Sequence, residues 1–483
     1  MKKIMMTTVV GAFTLVGSLA FFAKDADAIP VFARKYGLSC NSCHTMFPKL
    51  SKMGVAFRER GFRFAEGKED LDMQGGPGKN VDTGAESPAA VFASNFPFTV
   101  RSQILFSGAG PITDAAGQPV MPGHRFGMLD QATRFTKGVQ NGLQAGEWST
   151  NNKVGFGELG LISSGSYDNA FWWMDANQNG IGMLEGGYYV NDLFKVRVGR
   201  VQNDVGYGMT MMSRRPLGFG AVDAAQMAGG TMLMMGEGIS IHGTTNGDSG
   251  VGTLYNFSAF TYGKNGTTDA LGNAINAKVA GKRGSAYYGR VAQEIMDNHI
   301  IGVYGYKAKN WVSDTMGGDA AMYMAMGTLD PVTGLASANS MQFTDVTRYG
   351  MDFAINYGEP MQLYGAFTFG SNTSAATGQK LDVRGFTVAS EWLVKDGIML
   401  GAKWDYSRAE LQANALTSVT PKATQNFTVY GLYQVAQNVQ GFLTYTNSKN
   451  LVTSMGMNMM AGSTIVRQQS TLNTIIAGID LAL

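Results

Sequence analysis

The chain has 483 residues, a formal net charge of +2 and only 15% charged residues, against 64 glycines and 11% aromatics. A near-neutral balance gives no electrostatic ground for nucleic acid as a partner. The low charge and the Gly- and aromatic-rich composition depart from those of a large, core-forming soluble enzyme.

The first predicted element is an export signal. Lys2 and Lys3 precede an apolar run from Ile4 to Phe22, then polar Lys24-Asp25 and the small-x-small sequence Ala26-Asp27-Ala28. This order predicts a signal peptide over residues 1–28, with the mature chain beginning at Ile29. No lipobox cysteine follows the run, so a lipoprotein is not expected. Downstream there is no second apolar stretch of the ~18 residues that a spanning helix needs.

Residues 29–65 hold "LSCNSCHTM", with the two cysteines of the chain, Cys40 and Cys43, followed by His44. A thioredoxin-like redox pair would stand beside a βαβ pattern, and none surrounds it. A structural zinc site needs four ligands, whereas the four histidines are spread over positions 44, 124, 242 and 299. Covalent attachment of one haem c uses every residue present: two thiols for the two vinyl groups, and His44 as proximal iron ligand. Leu50, Met53, Val55, Phe57 and Phe62 lie near helical spacing, which predicts a haem-packing helix from Lys49 to Arg63 with Pro48 in its first turn.

Residues 66–95, rich in Gly, Pro and Asp, read as a linker. From 96 to 483 the chain repeats one pattern of alternating segments and turns. Phe98, Val100, Ile104 and Phe106 share one parity in the first segment. Tyr188 and Val190 lead through Asn191-Asp192 to Phe194, Val196 and Val198, with Lys195 and Arg197 opposite. Phe386, Val388, Trp392 and Val394 lead through Lys395-Asp396-Gly397 to Ile398, Leu400, Ala402, Trp404 and Tyr406, with Lys403 and Asp405 opposite. Phe427, Val429, Tyr433 and Val435 pass a short turn to Val439, Leu443 and Tyr445. Ile475, Ala477, Ile479 and Leu481 close the chain, which stops at Leu483.

Period-two alternation joined by Asn-, Asp- and Gly-bearing turns predicts antiparallel strands with one apolar and one polar face. Sparse charge favours lipid outside and water inside over a soluble sandwich, because only a closed sheet pairs all its backbone groups in lipid. The expected fold is mainly β: a transmembrane antiparallel barrel of about 16 strands, at roughly 24 residues per strand and its loop.

The ligand opposite His44 is open on sequence. Met53 and Met73 lie near the haem segment, while Met46 is too close to His44 to reach the far face readily. Further along are Met209, Met211 and Met212; Met232, Met234 and Met235; Met455, Met457, Met459 and Met460. The remaining histidines, His124, His242 and His299, are the alternative. For any single Met, core or lipid-facing filler is the plainer role. "DANQNGIGMLEG" begins like a calcium loop at Asp175, Asn177 and Asn179, but its twelfth position is Gly186 rather than Glu, so a hairpin turn is expected there. Arg34, Lys35, Lys49, Lys52, Arg58, Arg60 and Arg63 form a basic group suited to haem propionates or a partner; a solvated face is its plainer reading.

The segment "IPVFARKYGLSCNSCHTMFPKLSKMGVAFRERGF" resembles the haem region of fused monohaem cytochrome–porins, the outer-membrane cytochromes of iron-oxidising bacteria. Ala28, Pro30, Phe32, Ala33, Arg34, Cys40, Cys43, His44, Pro48, Leu50, Gly54, Phe57 and Gly61 fit the pattern. Lys35-Tyr36 stand where that family carries Gln-Thr, and Phe62 where Tyr is usual. The resemblance implies a small helical haem domain plugging the lumen of an outer-membrane barrel. It also implies Fe(II) as extracellular donor and a periplasmic cytochrome as electron acceptor. Two other expectations share the same parts: a porin for small solutes with a haem gate or sensor, and a conduit carrying electrons outward.

Overall fold

A computed structural model describes residues 43–46, 49–50, 53–54, 57, 98–109, 112–113, 119–121, 124–128, 156–167, 169–177, 180–202, 235–245, 252–261, 285–295, 299–309, 343–357, 361–374, 380–395, 397–411, 424–436, 439–454 and 467–482. The expected signal peptide and linker fall outside these residues, as does most of the expected haem segment 29–65.

Sixteen long strands follow one another round a closed barrel. They are β1 (Phe98–Ala109), β2 (Phe156–Tyr167), β3 (Ala170–Asn177), β4 (Gly180–Asn191), β5 (Phe194–Gln202), β6 (Met235–Thr244), β7 (Gly252–Thr261) and β8 (Ser285–Ile295). Then come β9 (His299–Lys309), β10 (Phe343–Tyr357), β11 (Met361–Ser374), β12 (Lys380–Lys395), β13 (Ile398–Leu411), β14 (Thr424–Ala436), β15 (Val439–Ser454) and β16 (Arg467–Ala482). Every neighbouring pair is antiparallel, and β16 closes on β1 through Ala482–Arg101 to Thr474–Ala109. The count matches the expectation from sequence, and closure leaves no sheet edge unpaired.

The two ends of the barrel differ. At one end tight connections join β4 to β5, β12 to β13 and β14 to β15, and both β1 and β16 meet the same end with their outer termini. At the other end the connections span 203–234, 262–284 and 310–342. We refer to these as the turn end and the loop end. The turn after Lys395 falls where the sequence places it, with Gly397 at φ 76°, a left-handed conformation that glycine adopts without steric cost. The turn between β4 and β5 is one residue later than expected, at Asp192-Leu193, because Asn191 stays paired with Phe194. The calcium-like segment is a hairpin as expected: Asn177 pairs with Gly180 across residues 178–179.

The faces are inverted relative to a soluble protein. Along β8, Ala286, Tyr288, Arg290, Ala292 and Glu294 are buried, while Tyr287, Val291 and Ile295 are exposed. The same parity holds round the wall: Val303, Tyr349, Trp392, Leu400, Phe427 and Leu443 stand on the outer surface, Val303 at 57% exposure. Exposed large apolar residues on each strand from β2 to β15 are what a hydrocarbon solvent selects. Among the described residues no helix is long and apolar enough to cross a membrane.

Candidate functional site

The inner face of the wall carries the ionisable groups. On β8–β10 the guanidinium of Arg290 meets the carboxylate of Asp352 in a two-bond fork, Nε to Oδ2 at 2.8 Å and Nη2 to Oδ1 at 2.6 Å. The two residues sit on strands separated by β9, and the fork arches over Gly302. A Cβ there would stand 2.9 Å from Arg290 Nη2 and 3.0 Å from Asp352 Oδ1, so a larger residue would press against the fork. Paired geometry of this kind is what allows two charges to stay ionised when both are nearly sealed from water.

A second arch crosses β13. Glu391 Oε1 accepts from the hydroxyls of Tyr364, at 2.5 Å, and Tyr430, at 2.8 Å. Tyr430 reaches it over Gly401, where a Cβ would lie 2.0 Å from its ring. Nearby, Asp405 bridges Lys403 Nζ at 3.1 Å and accepts from Thr387 at 2.7 Å. On β4 and β5, Glu185 and Arg197 approach to 3.8 Å. Arg348 donates to the carbonyls of Thr347 and Ser371, and the Tyr304 hydroxyl lies 2.5 Å from that of Thr368.

Apolar and aromatic side chains fill the spaces between these groups: Leu254, Phe260, Tyr288, Tyr304, Tyr306 and Tyr364 belong to one buried cluster. The polar inner face expected from alternation is therefore present, but as a packed wall rather than a water-lined one: Arg348 and Asp352 are each 1% exposed. Sequence reasoning flagged Lys195, Arg197, Lys403 and Asp405 as inward, and all four are buried. It missed Arg290–Asp352 and the Glu391 centre. Their partners are 62 and 27 to 39 residues apart. The available signal was a glycine of inward parity on the strand between them.

The Cys-x-x-Cys-His segment is described at a few points. Cys43 is helical, partly buried and outside any disulfide. His44–Met46 is extended and pairs with Lys49–Leu50, His44 opposite Leu50. This corrects the expected helix over Lys49 to Arg63 at its start: Lys49 and Leu50 are held in a small ladder instead. Met53, Gly54 and Phe57 are helical as expected, with Phe57 buried and Met53 exposed. Cys40 and the basic group other than Lys49 lie outside the described residues. The donor set fits covalent haem: Cys43 carries a thiol, and His44 follows it directly on extended backbone.

The candidates for the ligand opposite His44 separate. His299 sits at the turn end, where its Nδ1 accepts the amide of Asn356 at 3.1 Å. His242 faces inward, buried, in register with Lys195 on β5 and Asn256 on β7. His124 opens the short strand His124–Met128 and pairs with Ala109. Met46 pairs with Lys49, and Met235 opens β6 opposite Gln202. Met53 is helical and exposed, and the other methionine candidates lie outside the described residues. Among the described residues no group of three or more His, Cys, Asp or Glu is placed to hold a metal ion.

No protein-family model and no curated protein matches the sequence. Solved structures with a similar chain path include an anion-selective porin from Comamonas acidovorans, at 13% identity and a TM-score of 0.47, covering 80% of this chain and 99% of the porin. The outer-membrane channel DcaP of Acinetobacter baumannii is similar at 10% identity and a TM-score of 0.45, covering 80% and 96%. OmpF of Salmonella typhi is similar at 10% identity and a TM-score of 0.44, covering 80% and 97%.

Proposed function

We propose that this chain is an outer-membrane electron-transfer cytochrome. In this reading one haem c is bound through Cys40 and Cys43, with His44 as proximal ligand. A haem held there would offer a one-electron centre between extracellular Fe(II) as donor and a periplasmic cytochrome as acceptor. The observation that carries the reading is Cys-x-x-Cys-His standing as the sole cysteine motif ahead of a lipid-facing barrel. The chain supplies attachment, position and a low-dielectric surround. The packed inner wall supports a sleeve over an open pore, because buried ion pairs and tyrosines fix its shape.

The test is the purified protein, haem-stained on a denaturing gel and then mixed anaerobically with Fe(II). The expected result is covalent haem whose reduced α-band appears on mixing, and covalent haem that is lost in Cys40→Ala and Cys43→Ala while the barrel stays folded. Covalent haem without reduction by Fe(II) removes iron as donor. Absence of covalent haem removes the cytochrome reading altogether. A second reading, a channel for small solutes, draws on the sixteen-strand closure, a size at which barrels commonly enclose an aqueous lumen. Liposome swelling separates the two: the cytochrome reading expects low flux that rises when residues 29–80 are removed.

A further inference from the structure

We propose that the lipid-facing surface of β8–β13 at the loop end binds the phosphate-bearing headgroup of a membrane lipid in the leaflet on that side. The inference rests on the barrel alone and is independent of the haem. Lys307 and Lys309 project outward from the last turn of pleat on β9, and both are exposed. Arg384 on β12 and Arg408 on β13 stand on the same outer face and are directly opposite each other. Lys380 stands on β12 beyond Arg384, at the loop end of that strand, and Lys449 is exposed farther round the wall on β15. The turn end is different: its lipid-facing residues include Val190, Tyr357, Trp392 and Val394, and Lys395 is the lysine or arginine there among the described side chains.

Depth follows from the neighbours. Tyr287, 61% exposed, is the direct cross-strand partner of Lys307, and Phe369 is that of Arg384. Tyr349 stacks on Phe369 with ring centroids 6.1 Å apart. Exposed aromatic rings on the outer face of a membrane barrel collect where acyl chains give way to headgroups. Cations at the same height meet lipid phosphates, with which Lys and Arg form charge-assisted hydrogen bonds.

The acidic residues do not cancel the group. Asp382 bridges Lys380 at 3.2 Å and stands opposite Glu410, so these two acids offset Arg384 and Arg408. The registered neighbours of Lys307 and Lys309 are Tyr287, Ser285 and Thr347, none of them acidic. Asp345, past the last registered pair Ala308–Val346, is the acid at that end of β10. Continuing that register sets Asp345 opposite Lys309, so the cationic surplus at this end centres on Lys307. A second copy of the chain is the poorer occupant, since a two-fold contact would set this basic patch against itself.

The experiment uses the full chain in detergent, exchanged after incubation with bis-phosphorylated lipid A or with the same lipid stripped of phosphate, and weighed by native mass spectrometry. Wild type is expected to retain the phosphorylated lipid and to release the stripped one. Lys307→Gln/Lys309→Gln is expected to lose about ten- to thirtyfold in retained lipid. Lys395→Gln, at the other end, is expected to match wild type. Heat-dependent gel mobility verifies that each variant is folded, and a misfolded double variant is replaced by Lys307→Gln alone, with a smaller loss of the same sign. Equal retention by the folded variant and wild type overturns the proposal. So does equal retention of phosphorylated and stripped lipid, or a dimer mass that disappears in the variant.

Discussion

Two Lys-x-Asp pairs on adjacent strands show what each face of this wall demands. Lys403 and Asp405 on β13 bridge at 3.1 Å with side chains 4% and 6% exposed. Lys380 and Asp382 on β12 bridge at 3.2 Å with both side chains 43% exposed. Spacing and length are the same. What differs is strand parity, and parity decides the solvent. Inside, water is excluded and the pair is one part of a set that includes the Thr387 hydroxyl on Asp405. Outside, at the loop end, the pair is half in water, where ions screen it and rotamer freedom opposes it. A one-residue slip would exchange the two environments and bring every neighbouring side chain with it, so the inner network also holds the register.

The largest effect is expected from breaking the inner pair. Lys403→Met leaves Asp405 buried with its cation gone, a change that costs about 3–5 kcal/mol. Guanidinium unfolding in detergent micelles measures it, and a loss below about 1 kcal/mol would show that water reaches this part of the lumen wall. Next is the outer face. Val303 stands midway along β9 and is exposed on the outer face. Val303→Arg is expected to cost about 2–4 kcal/mol in bilayers, the cost of a guanidinium near the midplane. The adjacent β8 and β10 carry Arg290 and Arg348 on the inner face, where arginine has partners. Equal stability of Val303→Arg and wild type in lipid vesicles would mean that this surface is covered by protein.

The alternation along these strands made both faces legible in advance: Lys403 and Asp405 were placed inward by parity, and Trp404 outward. Turn chemistry was nearly as informative, since Asp396-Gly397 can close a hairpin by itself. What escaped was contact across two strands. Arg290 and Asp352 meet only once β8, β9 and β10 have taken their register, and no local pattern encodes that register. The start of the N-terminal helix escaped for another reason. Leu50 suits the apolar stripe of a helix, but pairing with His44 satisfies its backbone first. The chemistry proposed for Cys40, Cys43 and His44 rests on the Cys-x-x-Cys-His motif itself.

The glycine arches give a third test, of intermediate size. At Gly401 an added Cβ would fall 2.0 Å from the Tyr430 ring and 2.2 Å from its hydroxyl oxygen. Gly401→Ala must push the phenol away from Glu391, with an overpacking cost of about 1–3 kcal/mol. The double variant Gly401→Ala/Tyr430→Phe should cost less than the sum of the single ones, because the displaced hydroxyl is then already absent. Strict additivity would show that the strain lies in the backbone rather than in the arch.

The smallest effect is expected at the outer pair, and it is the one that closes the comparison. Lys380→Met removes the same charge from the same spacing as Lys403→Met, yet its expected cost is at most about 1 kcal/mol. Its salt dependence should also differ. Raising the salt from about 0.01 M to 1 M shortens the screening length from roughly 30 Å to 3 Å. The difference between wild type and Lys380→Met should therefore vanish at high salt, while that for Lys403→Met persists. The contrast depends on burial alone, since the bridging distances differ by only 0.1 Å (3.2 against 3.1 Å). If both differences faded together, the inner wall would be in contact with the bulk electrolyte, and an ion-accessible lumen would replace the packed sleeve as the description of the barrel.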